Sequence, residues 1–143
     1  SAVFYDRLTI HHEGNAVNYN TDLQTVTRDL KGILISHVDL GYGDIAYHLV
    51  IDRAGRVWEG RSLMYEGAHV SGQNEKNIGV MLLGNFEEQK PSEEQIAAMK
   101  LLVSLLRNRY RIKKHRIYGH CDLGPSLCPG KHLYEHVVAL RES

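Results

Sequence analysis

The chain lacks most of the features that assign a protein to a class at a glance. Cysteine is scarce: Cys121 and Cys128 are the two it has in 143 residues. Two cysteines make no disulfide framework, which excludes a small stapled scaffold. Net charge is absent, because 17 Lys and Arg balance 17 Asp and Glu. That removes the long-range attraction on which a nucleic-acid module or a binder of anionic membrane depends. The one basic run, RNRYRIKKHR over 107–116, reads as a solvated helix end and loop. No apolar run approaches the ~20 residues that span a bilayer, so no transmembrane segment is expected. No signal peptide is expected within these residues, and the start at Ser1 says little about the compartment. Repeats, low-complexity tracts and linkers are missing, and the length suits one domain over 1–143.

What the chain does have is a set of well-spaced elements. RLTIHH over 7–12 reads as a short strand, followed by turn-rich residues 14–21. Residues 22–38 follow a helical period, with Leu23, Val26, Leu30, Ile33, Leu34 and His37 near one face and Thr21 or Asp22 as cap. IAYHLVID over 45–52 and VWE over 57–59 form the arms of a hairpin about the turn at 53–56. Residues 62–77 show no period and read as a long surface loop, a length often associated with function. IGVMLL over 78–83 suits a central strand covered on both faces. Ser92 and Gln95 form a capping box, and Ile96, Met99, Leu102, Val103 and Leu106 mark the buried stripe of the helix it opens. RIYG over 116–119 reads as a last strand and 131–141 as a closing helix. Strands alternating with helices around one hairpin predict an α/β fold, a mixed central sheet flanked by helices.

Histidine is abundant, at nine residues. His11 ends the first strand and His120 follows the last. Cys128 lies beyond His120 in GHCDLGPSLCPG, a loop stiffened by Pro125 and Pro129. Two imidazoles and a thiolate suit zinc, and three protein ligands leave a fourth position for water. The residues also allow a plainer reading, with His11 a hydrogen-bonded strand residue and both cysteines small buried side chains. His11 and His12 point to opposite faces of a strand, so one of them at most faces such a site. Glu13 shares the face of His11 if the strand continues.

Five blocks in order carry a resemblance. They are LTIHHEG, DIAYHLVIDRAGRVWEGR, EGAHVSGQNEKNIGVMLLGNF, the capped helix from Ser92, and YGHCDLGPSLCPG. Over residues 8–134 the chain resembles the zinc-dependent N-acetylmuramoyl-L-alanine amidases of the peptidoglycan recognition protein and bacteriophage lysozyme type. The resemblance implies cleavage of the amide between N-acetylmuramic acid and L-alanine in peptidoglycan or muropeptides. It implies zinc on His11, His120 and Cys128, a catalytic Tyr47, and His69 beside the substrate groove. Asn74, Asn77 and Arg61 are expected to contact the stem peptide, although asparagine in a loop also serves turns. Cys121 matches no ligand position.

The chain departs from the pattern twice. Ser126 stands where phage members carry a lysine, and it becomes a catalytic candidate through its hydroxyl alone. Glu13 stands where the family usually has Ser or Thr, a candidate for an extra base, for a partner of a ligand histidine, or for a solvent-facing residue. The animal recognition proteins carry a disulfide after the first histidine block; that part of this chain has no cysteine, so the resemblance implies a phage or bacterial member as the closer likeness. The alternative function is a non-catalytic peptidoglycan receptor on the same fold. A monomer working in the cell envelope, periplasmic or secreted, is the expectation.

Overall fold

Five strands and three helices follow one another along residues 4–143, the part of the chain that this computed structural model describes. In chain order they are β1 (Arg7–His12), α1 (Leu23–Asp39), β2 (Leu49–Ile51), β3 (Val57–Glu59), β4 (Asn77–Leu82), α2 (Glu93–Tyr110), β5 (Ile117–Gly119) and α3 (Lys131–Glu142). They form one sheet in the order β3-β2-β4-β1-β5. β1 runs parallel to both β4 and β5, β2 is parallel to β4, and β3 returns antiparallel to β2. Parallel strands need long crossovers: α1 lies in the one from β1 to β2 and α2 in the one from β4 to β5, each passing over the strand between them. The mixed sheet flanked by helices is the architecture that the order of elements predicts.

Alternation along the strands builds two different faces. Leu8, Ile10, Ile78, Val80 and Leu82 pack with Met99, Val103 and Leu106 of α2 and with Leu133 and Val137 of α3. Each such side chain stabilises the fold by about 1.5–3 kcal/mol when fully buried. On the opposite face Val50 and Met81 meet Val26 of α1, with Leu30 and Ile33 packed against them. α1 is less deeply seated than its period suggests. Leu23 is 55% and Leu34 38% exposed, so the two outer positions of the expected stripe miss the sheet.

The loop between β3 and β4 covers what α1 leaves open. It was expected on the surface, yet Val70 and His69 within it are buried. Its buried part lies against Gly79 of β4, where an added Cβ would stand 2.7 Å from the His69 ring. β2 is shorter than the expected 45–52. The Ala46 carbonyl is taken by the amide of Ala68 in the same loop, outside the regular ladder. The capping box forms as read: Ser92 Oγ accepts from the Gln95 amide at 3.0 Å and Gln95 Oε1 from the Ser92 amide at 3.0 Å. Gly130, at φ +88°, opens α3 so close to Phe86 that a Cβ there would fall 2.5 Å from the Phe86 carbonyl carbon.

Candidate metal centre

The site is built where β1 and β5 end together. Alternation sends His11 to the face of Thr9 and turns His12 into the core beside Phe86, whose amide donates to His12 Nδ1 at 3.1 Å. β1 and β5 pair in parallel up to Ile10 and Gly119. One residue further on each strand stand His11 and His120, with ring centroids 4.9 Å apart. Openings at the carboxyl ends of parallel strands are where sheets of this kind receive ligands.

His120 begins a 3-10 turn, His120–Asp122, that the sequence reading missed. Asp122 anchors it: Oδ2 accepts from the Gly119 amide at 2.9 Å and from Arg141 of α3 at 2.9 Å. The chain then loops back. The Cys121 amide donates to the Cys128 carbonyl at 2.8 Å, and the Cys128 amide donates to Ser126 Oγ at 3.0 Å. This closure delivers Cys128 Sγ to 3.5 Å from His11 Nδ1. The donor atoms of His11, His120 and Cys128 lie within 4.8 Å of one another. Tetrahedral zinc with ordinary bond lengths holds nitrogen and sulfur ligands about 3.5 Å apart, so the donor set fits that ion.

Protonation favours the same reading. Burial and neighbouring histidines hold His11 well below the ordinary imidazole range, and burial lowers His120. Both rings are neutral at neutral pH and offer lone pairs. Burial pushes the Cys128 thiol up to about 12, against the pull of the His12 amide, which donates to its sulfur at 3.3 Å. A cation beside the sulfur reverses that shift and yields a thiolate.

His11, His120 and Cys128 open into a cleft of about 520 Å³, which Tyr47, Glu13, Ser126 and the exposed Leu127 also line. A second depression of about 510 Å³ continues from it, sharing Glu13, Asn15, His37 and Tyr47. The Tyr47 ring lies beside His11, and burial raises its hydroxyl above the ordinary range, so it remains a donor. Desolvation raises Glu13, whose Oε2 accepts from the Asn15 amide at 3.3 Å. His37, an unassigned neighbour, accepts from the Ala46 amide at 2.9 Å and supports the segment carrying Tyr47.

The four residues expected to contact substrate sit elsewhere in the hydrogen-bond scheme. His69 spends Nδ1 on His11 and Nε2 on the Asn77 carbonyl, both at 2.9 Å. Asn74 Oδ1 accepts from the amides of His69 and Val70 and holds a turn. Asn77 is fully buried; its Oδ1 accepts from Thr9 Oγ1 and its Nδ2 donates to the Gln73 carbonyl. Arg61 donates to the carbonyls of Ile45, Glu66, Tyr42 and Asp44. These bonds position the loop and β4, and His69 also lines the metal cleft. The pairing of side chains with distant carbonyls has no signature in linear sequence.

Comparison with known proteins places the fold in a family. Residues 3–131 match the family described as N-acetylmuramoyl-L-alanine amidase. Peptidoglycan-recognition protein SC2 of Drosophila simulans is 35% identical over 138 residues, covering 95% of this chain and 74% of the relative. The amidase LysC of Clostridium intestinale superposes with a TM-score of 0.81 at 25% identity, over 96% of this chain and 85% of that one. The complex of peptidoglycan recognition proteins LCa and LCx with bound tracheal cytotoxin gives 0.80 at 29% identity, over 93% and 80%. Animal and bacterial relatives thus both share the sheet whose strand ends gather His11, His120 and Cys128. The extent of the match, over nearly the whole chain, establishes that it belongs to the N-acetylmuramoyl-L-alanine amidase family.

Proposed function

We propose that this protein is a zinc-dependent amidase that hydrolyses the bond between N-acetylmuramic acid and L-alanine in peptidoglycan or its muropeptides. The observation that carries the proposal is the approach of Cys128 Sγ to His11 Nδ1, 3.5 Å, beside His120 in an open cleft. His11, His120 and Cys128 would hold the metal. When bound, zinc supplies an activated water and polarises the scissile carbonyl.

The chain's own groups do the rest. Tyr47 keeps its proton and donates it as a hydrogen bond to the oxygen that gains charge in the transition state. Glu13, whose carboxyl desolvation raises, takes a proton at its carboxylate and passes it to the leaving amine. Ser126 Oγ already accepts the Cys128 amide, so its O–H is free to donate into the cleft. The metal site draws every ligand from one chain, which suits a monomer. No described helix is long and apolar enough to cross a membrane. The substrate itself places the work in the cell envelope or outside the cell.

One observation favours a second reading, a receptor that binds without cutting. Among the residues lining the metal cleft there is no Lys or Arg, since Ser126 occupies the place of the family lysine. Incubation with a defined muramyl pentapeptide, followed by mass spectrometry, separates the two. Free stem peptide that disappears with a zinc chelator and returns with zinc supports the amidase. Retention of uncleaved substrate supports the receptor.

A further inference from the structure

His11 can ligate a metal through Nδ1 only if its proton sits on Nε2. A chain of hydrogen bonds sets that choice. His11 Nε2 lies 2.9 Å from His69 Nδ1, and His69 Nε2 lies 2.9 Å from the Asn77 carbonyl oxygen. A carbonyl only accepts, so His69 Nε2 carries a proton. In neutral His69 the other nitrogen, Nδ1, is then an acceptor. It takes the proton of His11 Nε2, which leaves His11 Nδ1 bare and 3.5 Å from Cys128 Sγ. Neither ring has a carboxylate among its hydrogen-bond partners, and both are buried, so an imidazolium here lacks a counter-ion.

The surroundings are shaped to keep this order. Asn77 is pinned in β4 by Thr9 Oγ1, which donates to its Oδ1 at 2.8 Å, and by its own Nδ2, which donates to the Gln73 carbonyl at 3.0 Å. The His69 amide is held by Asn74 Oδ1 at 2.8 Å. Two glycines make the room for the ring. A Cβ at Gly67 would come within 2.6 Å of His69 Cδ2, and one at Gly79 within 2.7 Å of Cδ2 and Cγ. A ring merely filling space needs no such cradle together with two directed bonds.

We infer that His69 is a positioning residue, a relay by which the backbone carbonyl of Asn77 fixes the tautomer and orientation of His11 for the metal. It acts through His11, from behind the ligand ring. The inference rests on His11 being a ligand, as proposed above. Partners of this kind hold a ligand ring in place and raise its basicity, and their loss weakens metal binding about 10–100-fold.

Zinc affinity, measured by competition with a chromophoric chelator, tests it in the full chain. His69→Phe keeps an aromatic ring in the cradle and deletes the acceptor. It is expected to bind zinc about 10–100-fold more weakly than the parent. His69→Asn returns an acceptor, Oδ1, near the place of Nδ1 and is expected to recover part of that loss. Unchanged affinity in a folded His69→Phe overturns the relay. A second measurement needs no variant: nitrogen–proton correlation spectra of the metal-free parent report which ring nitrogens carry protons. Protons on Nε2 of both His11 and His69 support the relay, and a proton on His11 Nδ1 overturns it. If the parent binds no zinc the amidase reading fails, while the tautomers still decide the relay.

Discussion

The ring of Tyr47 lies 5.0 Å from the ring of His11, centroid to centroid, tilted by 54°. Tyr47 precedes β2 and His11 sits in β1, so the contact crosses the sheet rather than following the chain. It places a phenol that keeps its proton beside a histidine that keeps its lone pair. Tyr47→Phe removes the hydroxyl and leaves the ring. Turnover is expected to fall by about two to three orders of magnitude, the usual cost of one transition-state donor. Zinc content, read by atomic spectroscopy, is expected to stay unchanged.

Cys128→Ser exchanges a soft ligand for a weak one while preserving the turn that Ser126 Oγ and the Cys128 carbonyl close. Zinc is expected to be lost and amidase activity to collapse. The circular dichroism spectrum is expected to remain that of the parent. Full activity in this variant would remove Cys128 from the ligand set.

Acid is expected to destabilise the metal-free protein. Burial lowers His11, His12, His48 and His69 in the fold, the last to about 4. The unfolded chain binds protons near the ordinary histidine value of about 6.5. Between the two values the unfolded state holds more protons, so stability rises with pH. The contribution is complete above about 6.5 and is lost as pH falls toward about 4. His69 alone contributes on the order of 1–2 kcal/mol at about pH 5. Denaturant melts with chelator present, run near neutrality and near pH 5, check the sign; equal midpoints would contradict the buried neutral cluster.

Gly79→Ala is expected to disturb fold and site together. The new Cβ would meet the His69 ring at 2.7 Å, and the ring has Asn77 and His11 on either side. Overpacking of this kind costs about 1–3 kcal/mol. Gly32→Ala is the control, since nothing lies within 4 Å of its Cβ in the middle of α1. It is expected to stabilise by about 0.5–1 kcal/mol. Thermal melting of the two variants should move in opposite directions.

Much of this molecule was legible before its structure. Strand alternation separated His11 from His12, and the capping box at Ser92 and Gln95 marked the start of α2 within a residue. Those signals are local, written in side-chain period and turn chemistry. His69, Asn74, Asn77 and Arg61 stood out as polar residues near the expected groove, but their hydrogen-bond partners were not legible. Each is defined by a backbone group elsewhere: the Asn77 carbonyl for His69, the carbonyls of residues 42, 44, 45 and 66 for Arg61. Backbone groups are identical at every position, so a sequence does not name them as partners. Gly79 read as one more residue of an apolar strand, because its meaning lies in the ring packed on it. Leu23 and Leu34 fit the helical period yet face outward, because period fixes a face and not how far the sheet extends beneath it.

The pairing of β1 with β5 carries a consequence for the durability of the protein. Arg7–His12 and Ile117–Gly119 are the first and last strands, and the ligands they and the following loop present are separated by more than a hundred residues. A metal held there acts as a clasp on nearly the full length of the polypeptide. It binds only when both ends have docked, so its affinity adds to the stability of the whole, by about 2.7 kcal/mol at a hundredfold excess over the dissociation constant. Global unfolding then releases the metal, and added metal raises the unfolding midpoint of the whole chain. A nick anywhere between the two strands that lets them drift apart abolishes the site without touching any of its residues.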